Sequence, residues 1–125
     1  MMLSRAKAFV VTTVVTCVLC ACNKTAQPLP PLALDQVVPE FQKVFSSAKP
    51  AVKEMADKVI GEVQNKDFSN AYTDAAMIPN SQDATKAQKL LAVRATQSIY
   101  QALTTAQAQG DQKSAAAVEM IKKYK

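Results

Sequence analysis

The chain has 125 residues, 49% of them hydrophobic, with 15 basic and 10 acidic side chains and a net charge of +5. It contains no histidine, which excludes imidazole metal ligands and the nucleophile pairs that need a histidine base. The positive charge is small and dispersed, whereas nucleic-acid binding needs a stripe of Lys and Arg, so no nucleic-acid partner is expected.

The first 21 residues predict a signal peptide. Arg5 and Lys7 precede an uncharged, apolar run over residues 8–21. A helix of that length is about 21 Å long, shorter than the ~30 Å hydrocarbon core of a bilayer. A removable signal helix over 1–21 is therefore expected. The alternative is an uncleaved transmembrane anchor, against which both the length and the flanking residues argue.

The apolar run ends in Leu19-Cys20-Ala21-Cys22, which resembles the lipobox of bacterial lipoproteins. In that family a leucine stands three residues before the lipidated cysteine and a small residue stands directly before it. The resemblance implies cleavage between Ala21 and Cys22, a diacylglyceryl group on Cys22 and acylation of the new amino terminus, for example by palmitate. Position 20 departs from the usual Ala, Ser or Thr. The alternative is ordinary signal-peptidase cleavage near Ala21 or Ala26, giving a soluble secreted protein.

Lipidation would make the membrane a partner through Cys22, because two or three acyl chains hold a protein at a bilayer effectively permanently. Loss of Arg5 and Lys7 with the leader lowers the net charge by two, to +3. With Cys22 modified, the mature chain has no free thiol. In enteric bacteria, an Asp directly after the lipidated cysteine retains a lipoprotein at the inner membrane. This position is Asn23 here, so the resemblance implies the outer membrane, facing the periplasm.

Residues 22–34 are expected to form a lipidated, proline-rich tether. The sequence from Asn23 to Pro31 is polar and then contains Pro28, Pro30 and Pro31, which forbid a helix and favour polyproline II. At ~3.1 Å per residue this segment would hold the following domain about 25 to 30 Å from the lipid.

Residues 35–125 are predicted to form an all-α domain, either a small helical bundle or paired helical hairpins. Apolar or small residues recur every three or four positions, which is the spacing of one helix face. The first such stripe comprises Val37, Phe41, Val44, Ala48, Val52, Met55, Val59 and Val63. Asp35 is expected to be the N-cap, with Pro39 in the first turn. Pro50 predicts a kink or a break between Ser46 and Lys49.

Three further helices are expected after a turn at Asn65-Lys66-Asp67. A short one is marked by Phe68, Ala71, Tyr72, Ala75 and Ile78 and stops at Pro79-Asn80. The next starts at Asn80 or Ser81, ends at Gly110 and carries Ala84, Ala87, Leu91, Ala95, Ile99, Ala102 and Ala106 on one face. Asp111 is expected to cap the last helix, whose apolar side comprises Ala117, Met120, Ile121 and Tyr124.

Two helical hairpins can be aligned about 44 residues apart, so that Asp67-Phe68-Ser69-Asn70-Ala71 meets Asp111-Gln112-Lys113-Ser114-Ala115. This pattern is similar to the hairpins of tetratricopeptide and other α-solenoid proteins. The large aromatic and glycine positions of the tetratricopeptide consensus are not reproduced. The resemblance therefore implies architecture alone, and no function is carried over from it.

No catalytic residue, cofactor or metal site is predicted. Glu54, Asp57 and Glu62 alternate with lysines in a pattern typical of a solvated helix face. The aromatic residues are expected in the core, but joint exposure of Tyr72 and Tyr100 would favour a binding surface. We therefore expect a non-catalytic helical interaction or assembly module with an envelope protein as partner and no small-molecule substrate. Its contact surface is expected around Gln97, Tyr100, Gln101 and Gln107.

The chain ends in a basic segment that gives a second hypothesis. A lipidated cysteine, a helical body and a terminal lysine resemble the major murein lipoprotein, which implies attachment of Lys125 to peptidoglycan. Lys122, Lys123 and Lys125 are also placed for contact with an anionic surface. The ordinary explanation is that lysines in the last turn compensate the helix dipole. The alternative function is thus a structural envelope tether that binds peptidoglycan.

Overall fold

A computed structural model describes residues 29–125. It contains five α-helices and one short 3₁₀-helix, listed here in chain order: α1 (Leu34–Val44), α2 (Pro50–Gln64), α3 (Phe68–Met77), the 3₁₀-helix (Ile78–Asn80), α4 (Lys86–Ala108) and α5 (Gln112–Lys123). No strand occurs within 29–125, so the predicted all-α class is confirmed. The predicted signal peptide, Ala21 and Cys22 lie outside the described residues.

The first predicted stripe forms the centre of the core. Its buried members are Val37, Phe41, Val52, Val59 and Val63, while Val44, Ala48 and Met55 are partly buried. The rings of Phe41 and Phe45 pack with their centroids 4.9 Å apart. Helix α4 contacts α1, α3, α5 and the 3₁₀-helix, whereas α2 packs against α1 and α3.

Pro50 breaks the first helical segment rather than kinking it. Helix α1 ends at Val44, and Pro50 is the first residue of α2, where its missing amide hydrogen costs no intrahelical bond. The start of α1 was predicted wrongly. Ala33 is the N-cap, and Asp35 lies inside the first turn, where its charge favours the helix dipole. Pro39 consequently lies in the helix interior and not in the first turn.

Both predicted hairpin turns are present, and they have the same backbone conformation. Lys66 and Gly110 have left-handed φ values of 58° and 93°. The next amide, that of Asp67 or Asp111, donates to the Glu62 or Ala106 carbonyl oxygen at 2.8 and 3.0 Å, as in a Schellman motif. Asp111 also caps α5, accepting from the Ser114 amide at 2.9 Å, as predicted.

The two turns contact each other through an ion pair. Lys113 Nζ lies 3.0 Å from Asp67 Oδ1, which joins the start of α5 to the start of α3. This hydrogen bond is also the largest cause that lowers the pKa of Asp67. The two hairpins, α2 with α3 and α4 with α5, are therefore linked at their turns as well as through their buried faces.

The two glycines are expected to respond oppositely to alanine. Among the described residues, a Cβ on Gly61 would meet no neighbouring atom within 4 Å. Close packing of another helix therefore does not require a glycine at this position. Gly61→Ala should stabilise the fold by about 1 kcal/mol, because alanine is the better helix former. Gly110→Ala should destabilise it by about 1 kcal/mol, because φ is positive there. Urea unfolding of the two variants tests both signs, and equal signs would contradict this account.

Helix α4 starts later than predicted. Thr85, and neither Asn80 nor Ser81, is its N-cap. The Thr85 hydroxyl accepts from the Gln88 amide at 3.2 Å, and the Gln88 side chain accepts from the Thr85 amide at 2.9 Å. This capping box fixes the start of α4 at Thr85, and its Thr-x-x-Gln pattern can be recognised in the sequence. Ala87, predicted on the inner face, is exposed, and Gln88 is buried in its place.

The inner face of α5 was also predicted wrongly. Its buried residues are Ser114 and Val118, whereas Met120 and Tyr124 are 61% and 77% exposed. Val118 is the fully buried residue of α5, which packs on α4, so the buried side of the helix differs from the predicted one. The expectation of core packing is confirmed for Phe41 and Phe45, but it is wrong for Tyr124.

Candidate functional site

A surface groove between α3 and α4 is the candidate site, and we call it the tyrosine groove. Its volume is about 510 Å³, within the range of small-ligand and peptide sites. The lining residues are Pro31, Tyr72, Val93, Thr96, Gln97, Tyr100, Gln101 and Lys125. It thus combines two aromatic rings with amide and hydroxyl side chains, a composition suited to recognising another molecule.

Close packing of α3 on α4 brings the two tyrosines together. Ala71 and Ala75 of α3 and Ala92 and Ala95 of α4 are fully buried, and their small side chains let the helices approach closely. Tyr72 and Tyr100 are each partly exposed. Their ring centroids lie 6.2 Å apart at an interplanar angle of 52°, which is a favourable tilted arrangement.

One row of residues on α4 lines the groove. Val93, Gln97 and Gln101 follow one another at intervals of four residues, so they lie on the same side of the helix. All three are exposed. Of the surface predicted from sequence, the structure brings Gln97, Tyr100 and Gln101 to this groove, while Gln107 does not line it.

Residues of the predicted tether pack along α4 beside the groove. Pro31 lines it, and the Arg94 Nε donates to the Pro30 carbonyl oxygen at 3.1 Å. The buried Ser98 hydroxyl donates to the Leu32 carbonyl oxygen, and Leu32 itself is buried. The burial of Ser98 was not predicted, because the spacing of a serine within a helix does not show whether its side chain is buried or exposed. These bonds fix the course of residues 30–32 along α4.

Lys125 lies at the groove on the side of α5. Its Nζ is 5.3 Å from the centroid of the Tyr100 ring, and Lys123 Nζ is 5.7 Å from that of Tyr124. Each exposed contact of this kind is worth about 0.5 to 1 kcal/mol. Lys122 lies 3.5 Å from Glu119. Of the three lysines predicted for surface contact, the structure therefore brings only Lys125 into the groove lining.

A second feature lies between α2 and α3, at Glu62. Burial, followed by a hydrogen bond with Asp74 and the charges of Asp74 and Asp67, raises the pKa of Glu62 to about 7. Its Oε2 is buried and has no hydrogen-bond partner among the described residues. The interpretation of Glu62 as part of a solvated face is therefore wrong, although it holds for the exposed Glu54 and Asp57. Glu62 does not line the tyrosine groove.

Stability should depend on the protonation of Glu62. Its native pKa lies above the ordinary value of 4.5, so the folded state binds the proton more tightly than the unfolded state. This contribution is complete below pH 4.5 and is lost as the pH rises through 7. We expect a loss of about 1 to 3 kcal/mol over that window.

Thermal unfolding measured between pH 4.5 and 8 checks this expectation. The variant Glu62→Gln should remove most of the decline, because glutamine stays neutral, and the exposed Glu54→Gln is the matched control. A decline that is the same in wild type and Glu62→Gln would contradict the assignment. Acid loss below pH 4 belongs to Asp67 and Asp111, because hydrogen bonds with Lys113 and Ser114 respectively lower the pKa of each carboxyl group.

The described part of the chain lacks two features. Residues 29–125 contain no group of three or more His, Cys, Asp or Glu side chains placed to hold a metal ion. In the same range, no helix combines the length and the apolar character needed to cross a membrane. Comparison of the chain with protein-family models, curated proteins and solved structures gives no match.

Proposed function

We propose that the chain is a lipid-anchored lipoprotein of the bacterial cell envelope whose helical domain is a non-catalytic interaction or assembly module. The lipobox-like Leu19-Cys20-Ala21-Cys22 supports the anchor, with Cys22 as the lipidated residue. Asn23 supports an outer-membrane position facing the periplasm. The tyrosine groove is the observation that carries the interaction role.

The composition of the groove favours binding over chemistry. Tyr72 and Tyr100 offer apolar area with hydroxyl groups at the edge, and Gln97 and Gln101 offer donors and acceptors without charge. Aromatic residues of this kind dominate protein–protein contact energies. Lys125 is the one charged side chain of the lining. The partner we propose is accordingly another envelope protein.

In-cell photocrosslinking tests this role. A photoreactive residue at the exposed Gln97 should give one discrete adduct with a second protein, and the same residue at exposed Gln42 of α1 should give none. Adding Tyr100→Ala should reduce the Gln97 adduct by about tenfold, the effect of a modest hot spot. Equal labelling from both positions, or no adduct from Gln97, would reject the groove as the binding site.

The second candidate function is attachment to peptidoglycan through Lys125. A distinct observation favours it: Lys125 is exposed and lies at the end of the described helices. This function predicts that deleting Lys125 releases the protein from purified sacculi. The interaction module predicts no change in sacculus retention after the same deletion, so one experiment separates the two functions.

A further inference from the structure

The two ends of the described chain meet at the tyrosine groove. Pro31 and Lys125 both line it, although they stand at opposite ends of residues 29–125. The course of residues 30–32 is fixed there by the bonds from Arg94 and Ser98. The segment that leads to the proposed anchor therefore leaves the domain beside the last residues of α5.

The length of the connecting chain limits how far this side of the domain can lie from the lipid. Seven peptide steps separate Cys22 from Leu29. At 3.3 to 3.6 Å per residue they reach at most about 25 Å. Lys125, which lines the groove with Pro31, and the end of α5 therefore lie within reach of a bilayer in which Cys22 is anchored.

The end of α5 and the two residues after it carry basic and apolar side chains, and we call this surface the α5 face: Met120, Ile121, Lys122, Lys123, Tyr124 and Lys125. Lys125 lines the groove together with Pro31, and Met120 belongs both to the depression under Tyr124 and to the one beside Lys122 and Lys123. The α5 face adjoins the groove, since Tyr72 and Lys125 line both the groove and the neighbouring depression under Tyr124. Met120 and Tyr124 are the two most exposed large hydrophobic residues of the described chain, at 61% and 77%. Glu119, paired with Lys122, offsets one of the three positive charges.

We propose that the α5 face rests on the anionic headgroup surface of the membrane that carries the anchor. The lysines match the charge of anionic phospholipids, and each lysine near such a surface strengthens contact by about fivefold. Tyr124 and Met120 supply the apolar area, since an aromatic ring with a polar tip suits the lipid–water boundary. The tyrosine groove then opens beside the bilayer, and its partner is reached at the membrane surface. This inference rests on the proposed lipidation of Cys22.

A fluorescent label at Tyr124→Cys tests the contact in the lipidated, full-length protein reconstituted into vesicles. Cys17 and Cys20 leave with the leader and Cys22 is modified, so the introduced cysteine is the one thiol available for labelling. Acrylamide is the quencher because it is uncharged. Ala51→Cys is the matched control: Ala51 is exposed on α2, which does not contact α5.

The inference predicts that acrylamide quenches the label at 124 at least about twofold less in vesicles containing phosphatidylglycerol than in phosphatidylcholine alone. The difference should vanish in 1 M salt, where the Debye length is about 3 Å, and in the variant Lys122→Gln, Lys123→Gln, Lys125→Gln. The label at 51 should be quenched equally in both vesicles.

Three results would overturn the inference. Equal quenching at 124 in both vesicles would show that charge does not hold the α5 face to the lipid. Equal protection at 51 and 124 would show that no particular face is oriented. Protection at 124 that requires added sacculi would assign the face to murein. The mass of Cys22 in the same samples separates the two proposals: unmodified Cys22 overturns the anchor, and equal quenching with lipidated Cys22 overturns this inference alone.

Discussion

Replacing Phe41 with alanine is expected to lower the free energy of unfolding by about 3 to 5 kcal/mol. Phe41 is fully buried, and its ring packs against Phe45 at 4.9 Å between centroids. The substitution removes apolar area from the core and leaves a cavity that α1, α2 and α4 cannot all close. For a domain of this size the melting temperature should fall by at least about 12 °C.

Circular dichroism of the purified protein during thermal unfolding measures this change. Tyr124→Ala is the matched control, because Tyr124 is 77% exposed and its loss should alter stability by no more than about 0.5 kcal/mol. Similar losses from the two variants would mean that the core is not centred on Phe41. Wild-type stability in Phe41→Ala would contradict the packing of α1 altogether.

Replacing Cys22 with alanine is expected to abolish lipid incorporation completely. Alanine has no sulfur to form the thioether, and about 0.8 kcal/mol of membrane affinity per buried methylene is lost with the acyl chains. Growth with labelled palmitate followed by isolation of the protein measures this directly. Wild type should carry the label and Cys22→Ala should carry none.

Cys20→Ala distinguishes Cys22, the cysteine that we propose is lipidated, from its neighbour. It introduces alanine at the lipobox position where alanine is usual, so labelling should persist or increase. Label retained by Cys22→Ala, or lost from Cys20→Ala with Cys22 intact, would contradict the assignment of Cys22. The same two variants would also show whether Leu19-Cys20-Ala21-Cys22 functions as a lipobox.

Much of the fold could be predicted because the chain uses local signals. The stripe from Val37 to Val63 has an unambiguous spacing, and Pro50 and Gly110 act through backbone geometry that does not depend on tertiary contacts. Lys66 adopts the same left-handed conformation although it is not a glycine. The sequence therefore indicated this turn only through the neighbouring Asn65 and Asp67.

The errors arise where several faces of a helix carry similar residues. The run Ala115-Ala116-Ala117 offers no preferred side, so the sequence did not show that Val118 is the fully buried residue of α5. Ser98 is buried and polar, and its hydroxyl donates to the Leu32 carbonyl oxygen, a contact that sequence spacing does not show. The start of α4 is different, since Thr85 and Gln88 form a recognisable capping box.

The candidate site depends on contacts between residues distant in the chain. The sequence suggested Tyr72 and Tyr100 as a pair whose joint exposure would favour a binding surface. Only the packing of α3 on α4 places their rings 6.2 Å apart. Pro31 and Lys125 are brought to the same groove by the whole fold. The pKa of Glu62 is likewise raised first by burial and then by Asp74, which belongs to the next helix.

Intact mass spectrometry of the protein extracted from the membrane fraction tests the central claim most directly. The account predicts a chain that begins at Cys22, lacks residues 1–21 and carries a diacylglyceryl group with a further fatty acyl chain. A full-length chain with an unmodified Cys22, or an aqueous form cleaved elsewhere with no lipid, would contradict it.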